Sequence, residues 1–114
     1  MANLREPTYY ILASLIDEPL HGWAIIQETA QMSQGRVKLT AGTLYGALER
    51  LQAEGLVEQD REEIVSGRCR RYYRLTPTGQ GRLREEAERL AASAAVVQKR
   101  LSARRPPKVQ EAAS

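Results

Sequence analysis

Four arginines, Arg68, Arg70, Arg71 and Arg74, crowd seven positions around Tyr72 and Tyr73. A basic tip of this kind fits a contact with a phosphate backbone or a minor groove. A second group lies upstream, where Lys38 precedes Thr40, Gly42, Thr43, Tyr45 and Gly46. Thr40 has the chemistry of a helix N-cap, and the glycines permit close approach of a partner. The N–H groups left open in a first helical turn carry a partial positive charge suited to phosphate.

Other reactive side chains carry less. His21 is the sole histidine and Cys69 the sole cysteine, so a zinc site of the usual kind cannot be assembled, and His21 is expected to cap or turn the chain. Cys69 stands between Arg68 and Arg70, where positive charge lowers a thiol pKa; redox control of the basic segment and an incidental exposed thiol both fit that sequence. No nucleophile is paired with a base, and neither a phosphate loop nor a carboxylate pair is present, so no enzyme activity, metal or cofactor is expected.

These residues need a scaffold of one domain's size, since 114 residues and 12.8 kDa exclude a multidomain enzyme. A net charge of +3 and a pI of about 9.3 favour an anionic partner, with the location of the charge mattering more than its total. The mean hydropathy of −0.49 implies a small core that a partner chain completes. Neither a membrane-spanning apolar run nor the order of a signal peptide is visible, so a cytoplasmic location is expected, with no membrane partner.

Periodicity supplies the elements. A first helix opens at Glu6, Pro7 and Thr8, carries Ile11, Leu12, Leu15 and Ile16 inward, and ends before Pro19. A second runs from about Gly22 to Ser33 with Trp23, Ile26 and Ala30 as its apolar line and Gly35 as its stop. Arg36 to Leu39 can pair as a short strand. A third helix starts at Thr40, buries Leu44, Ala47, Leu48 and Leu51, and ends near Glu54 with Gly55 and Leu56 as its C-terminal cap. Residues 57–65 and 70–76 read as a hairpin turning at Ser66 and Gly67, with charge far more basic than the whole chain.

Thr76 and Pro77 then open the most regular helix in the chain, weakened in its first turns by Gly79 and Gly81. Leu83, Ala87, Leu90, Ala94, Val97 and Leu101 are spaced as a heptad seam, which requires a partner helix. From Ser102 onward, Arg104, Arg105, Pro106, Pro107 and Lys108 lead into an aperiodic end read as a disordered tail. The fold class is mainly α with a small β-hairpin. Residues 1–76 form a winged helix-turn-helix, 77–101 a dimerisation helix and 102–114 the tail. The third helix and the hairpin wing then face double-stranded DNA, through Lys38, Thr40, Gly42, Thr43, Tyr45, Arg68, Arg70 and Arg71. A protein-interaction module or an RNA-binding winged helix remains the alternative.

Several segments together resemble the PadR family of bacterial transcriptional regulators. They are Tyr9-Tyr10-Ile11-Leu12, the His21-Gly22-Trp23 step, Gly42-Thr43-Leu44-Tyr45, Glu54-Gly55-Leu56-Val57 and Arg71-Tyr72-Tyr73-Arg74-Leu75-Thr76. The resemblance covers about residues 5 to 90 and is similar to the subgroup with one helix after the wing. It implies a homodimer held by the last helix, with help from the first, that represses from a two-fold symmetric operator. It also implies that Thr43 and Tyr45 touch DNA at the start of the recognition helix, beside Lys38 and with Arg70 in the wing. Trp23 stands where the family more usually has Tyr, a change expected to lie in the core. Gly46 replaces a larger residue or Pro, which removes one base contact. Some relatives bind flat aromatic effectors against an aromatic residue of the last helix; this sequence has no aromatic after Tyr73, so the small-molecule effector stays unassigned.

Overall fold

The computed structural model describes residues 3–104. Its elements run α1 (Glu6–Ser14), β1 (Leu20–His21), α2 (Gly22–Met32), α3 (Ala41–Ala53), β2 (Val57–Val65), β3 (Arg68–Leu75) and α4 (Pro77–Ser102). The mainly helical class with a small antiparallel sheet is as expected. Helix boundaries follow local hydrogen bonding. Thr40 Oγ1 accepts from the Thr43 N–H at 3.2 Å, and Thr76 Oγ1 accepts from the Gly79 N–H at 2.9 Å. Gly55 takes a left-handed φ of 76° while the Leu56 N–H reaches back to the Leu51 carbonyl at 2.9 Å, closing α3 as its sequence implied.

All four helices and the sheet enclose one core of Ile11, Leu12, Ile25, Leu44, Leu48 and Leu51, to which Val57 and Tyr73 contribute from the wing base and Leu83 from α4. The hairpin is as expected, with β2 and β3 antiparallel and a shift in register at Asp60 between Gln59 and Arg61. Ser66 and Gly67 both adopt left-handed φ, 53° and 77°, the combination that joins twisted strands through two residues.

Several expectations are corrected. Arg36 to Leu39 does not pair as a strand, because Ser33 Oγ accepts the Val37 N–H at 2.9 Å and Val37 is buried; the third strand is β1, with Leu20 opposite Tyr73 and His21 opposite Tyr72. The strand order is β1-β3-β2. In α2 the inward line is Gly22, Ile25 and Thr29, so Trp23, about 100° around the helix from Gly22, faces outward at 62% exposure rather than entering the core. Helix α1 ends at Ser14, which leaves Ile16 exposed.

Leu83 is also corrected. It belongs to the chain's own core and not to a free seam. One turn later Glu86 is buried between Arg82 at 3.8 Å and Arg89, whose guanidinium, helped by the Leu4 N–H, holds the carboxyl below its ordinary pKa. Beyond Ala87 the seam positions Leu90, Ala94, Val97 and Leu101 lie exposed, as does Val96 beside them. Ser102 is the last residue of α4, and residues 105–114 of the expected tail lie outside the described residues. No helix among the described residues is long and apolar enough to cross a membrane.

Candidate nucleic-acid interface

Helix α3 buries Leu44, Ala47, Leu48 and Leu51 and turns Gly42, Thr43, Tyr45, Gly46 and Glu49 outward. Neither Gly42 nor Gly46 needs to be glycine for the fold, since a Cβ on either would meet open space and neither has a positive φ. Each costs the helix up to about 1 kcal/mol relative to Ala. Their effect is a shallow surface on which another molecule can reach the backbone. At its head, the Thr40 hydroxyl donates to Thr43 Oγ1 at 3.0 Å, so the two threonines are tied together, and exposed Lys38 stands just before them.

Tyr45 is half exposed, with its hydroxyl against Gly22 at the start of α2. His21 is the N-cap of that helix, as its position implied: Nδ1 accepts the Ala24 N–H at 3.4 Å, and the ring stands edge-on to Tyr72 with centroids 5.4 Å apart. Burial, then the nearby Arg70 guanidinium, lower the imidazole pKa against the opposing pull of Glu63. An uncharged ring with a free Nδ1 lone pair is the state that can accept this cap bond.

The wing is not uniformly basic, which corrects the expectation of a strongly positive hairpin. Its five arginines share the hairpin with four carboxylates of β2, and Arg70, Arg71 and Arg74 stand directly opposite Glu63, Glu62 and Glu58. Arg74 is paired with Glu58 at 2.7 Å and Asp60 at 3.1 Å, and Arg71 with Glu62 at 3.3 Å. Arg61 lies 3.9 Å above the Tyr72 ring and bonds Asp60 and Glu63, while the Tyr72 hydroxyl donates to Glu63. That lattice stiffens the wing and consumes charge. Arg68 and Arg70 form no ion pair among the described residues, so the free positive charge is concentrated near the turn. Cys69, flanked by both, has a carboxylate neighbour that the sequence hides: its thiol donates to Glu62 at 3.5 Å.

Between the wing and the helices runs a groove of about 540 Å³ whose lining includes Trp23, Tyr45, Arg68 and Arg70. The expected residues thus divide. Tyr45, Arg68, Arg70 and Arg71 share this groove, whereas Lys38, Thr40, Gly42 and Thr43 lie at the head of α3 beyond its lining. Trp23 is not distinguished by its sequence, because its apolar character fits a core position equally well and only the packing of α2 on α1 and α3 through Ile25 and Thr29 turns it out.

Comparison with known proteins agrees with this arrangement. Residues 11–85 match the transcriptional regulator PadR-like family. A transcriptional regulator of Mycobacterium tuberculosis is 38% identical over 81 residues, 71% of this chain and 72% of that protein. A PadR family transcription regulator from Clostridium difficile superposes with a TM-score of 0.70 at 23% identity, covering 85% of this chain and 99% of that one. Bacillus subtilis PadR, solved in complex with operator DNA, superposes with a TM-score of 0.63 at 21% identity, covering 90% of this chain and 51% of that one. The chain belongs to the PadR-like family of transcriptional regulators.

Proposed function

We propose that this regulator is a cytoplasmic repressor that binds double-stranded DNA as a homodimer on a pseudo-palindromic operator. The observation that carries the reading is the coincidence, on one chain, of an exposed small-residue face on α3 with two wing guanidinia, Arg68 and Arg70, that form no ion pair among the described residues. Thr43 and Tyr45 read or position the major groove, Lys38, Thr40 and Gly42 approach the backbone at the head of α3, and Arg68 and Arg70 grip phosphate. The likeness in fold to a PadR protein solved with operator DNA supports this use of the same elements. The line of half-buried Ala87 and exposed Leu90, Ala94, Val97 and Leu101 supplies the dimer contact, and a dimer lying across an operator blocks the polymerase from the same DNA.

The test is a salt titration by fluorescence anisotropy on a duplex from the promoter region of the chain's own gene and on a scrambled duplex. Replacing Arg68 and Arg70 with Ala should weaken both duplexes similarly and flatten the plot of log affinity against log salt by about 0.9 per lost phosphate contact. Arg71→Ala, which removes a cation already paired with Glu62, should leave the slope nearly unchanged. A double variant with undiminished affinity and slope would make the wing a solvated edge.

A further inference from the structure

We infer that the groove between the first turn of α2 and the wing seats a DNA phosphodiester with its adjoining deoxyribose, and that Trp23 forms the apolar wall of that seat. The inference rests on the reading of this face as the DNA interface and assigns it a residue that neither the sequence pattern nor the family resemblance pointed to.

Exposure of one tryptophan is by itself unremarked on a protein surface. Its surroundings are what matter. Trp23 is 62% exposed, and it lines the same groove as Tyr45 and the two wing guanidinia, Arg68 and Arg70, that form no ion pair among the described residues. Of the other exposed apolar side chains, Leu90, Val96, Val97 and Leu101 lie far along α4, where a helical partner accounts for them, and Ile16, Met32 and Ile64 stand outside the lining of this groove.

The lining chemistry selects the occupant. Arg68 and Arg70 call for an anion. The indole and phenol rings offer flat apolar surface, each with one polar hydrogen. A sugar-phosphate unit presents charge and the C–H face of its sugar side by side, so it satisfies both walls together. An acidic peptide meets the guanidinia and leaves the rings without a partner. Trp23 also occupies the first turn of α2, the positive end of that helix, which acts in the same direction.

The chain contains a single tryptophan, so its intrinsic emission reports on this groove alone. A short mixed-sequence duplex, labelled so that binding is read independently by anisotropy, is titrated into the full chain at low ionic strength. Binding should quench the indole and shield it from acrylamide, and added salt should reverse both changes. Trp23→Ala should weaken every duplex by about tenfold, the scale on which truncating a contacting aromatic side chain in an interface registers, with thermal stability retained because the side chain lies outside the core. Trp23→Phe, which keeps a ring and loses the N–H, should fall between.

Saturated duplex with unchanged emission and acrylamide access would overturn the inference while leaving the DNA interface standing, as would wild-type affinity in Trp23→Ala. A poly-glutamate peptide that changes the emission as the duplex does would replace the sugar-phosphate occupant with an acidic protein segment. If the anisotropy label shows no duplex bound at any salt, the interface reading itself fails and takes this seat with it.

Discussion

The Tyr45 hydroxyl occupies the space that a side chain at residue 22 would need: a Cβ added to Gly22 would lie 2.4 Å from its Oη and 3.0 Å from its Cζ. Glycine at the first position of α2 therefore sets where the recognition face of α3 carries its largest side chain. Gly22→Ala should push the half-exposed ring aside at a stability cost near the low end of the usual overpacking range, about 1 kcal/mol. Duplex affinity should fall about tenfold or more as the contact from Tyr45 is displaced. Urea unfolding and anisotropy on one preparation separate the two effects; unimpaired binding would remove Tyr45 from the interface.

Gly79 has a different obstacle. A Cβ there would stand 2.0 Å from the Leu56 carbonyl oxygen, a backbone atom that also accepts the Thr76 N–H at 3.1 Å and cannot swing away. Gly79→Ala should destabilise the fold by about 3 kcal/mol, against the roughly 1 kcal/mol that alanine ordinarily adds to a helix. Gly81→Ala, with open space around its Cβ, should instead stabilise by up to about 1 kcal/mol. Denaturation midpoints of the two variants should move in opposite directions, and a common direction would show that close packing at Leu56 does not require glycine.

Acid should loosen the start of α2. The folded-state pKa of His21 is below its ordinary 6.5, through burial and Arg70, so the unfolded chain takes up the proton first and stability rises with pH across that interval. The contribution is present above about pH 6.5 and is lost as pH falls toward the lower folded value, where protonated Nδ1 can no longer accept the Ala24 N–H. Side-chain caps contribute about 0.5–2 kcal/mol, and a bond of 3.4 Å belongs at the low end. His21→Asn keeps a capping oxygen without a titrating ring, so the fall in unfolding midpoint between neutral pH and pH about 5.5 should be smaller in the variant. An equal fall in both proteins would exclude His21 as its source.

What was legible beforehand was what local chemistry decides. Thr40, Gly55 with Leu56, and Thr76 with Pro77 bound their helices by bonds reaching only a few residues, so α3 and the hairpin could be placed from local residue order and spacing. The misplaced features depend on partners distant in sequence or on a choice of helix face. Trp23 and Gly22 differ by one step around α2, and the packing of that helix on α1 and α3 decided between them. The two-residue β1 is too short to show any period, and it pairs with a strand some fifty residues later. Arg68, Arg70 and Arg71 look equivalent in sequence; the register sets Glu62 opposite Arg71 and Glu63 opposite Arg70, but Glu63 is engaged by Arg61 and Tyr72, so of the three only Arg71 forms an ion pair among the described residues.

The heptad line of α4 divides along its length in the same way, and the division can be tested. Leu83 is 6% exposed inside the chain's own core, whereas Leu90, Val97 and Leu101 are 41%, 54% and 62% exposed on a helix running to Ser102. Leu83→Ala should therefore cost about 2–5 kcal/mol of fold stability as a buried truncation. Replacing Leu90 and Val97 with Asp should leave each chain folded and convert a particle of twice 12.8 kDa into one of 12.8 kDa by light scattering. The monomer loses the linkage between two recognition helices set about 34 Å apart on the duplex, so operator affinity should drop by about 10²–10⁴-fold. Footprints of the parent chain should show two half-sites one helical turn apart. A variant that remains dimeric, with both half-sites still protected, would move the interface away from the outer half of α4.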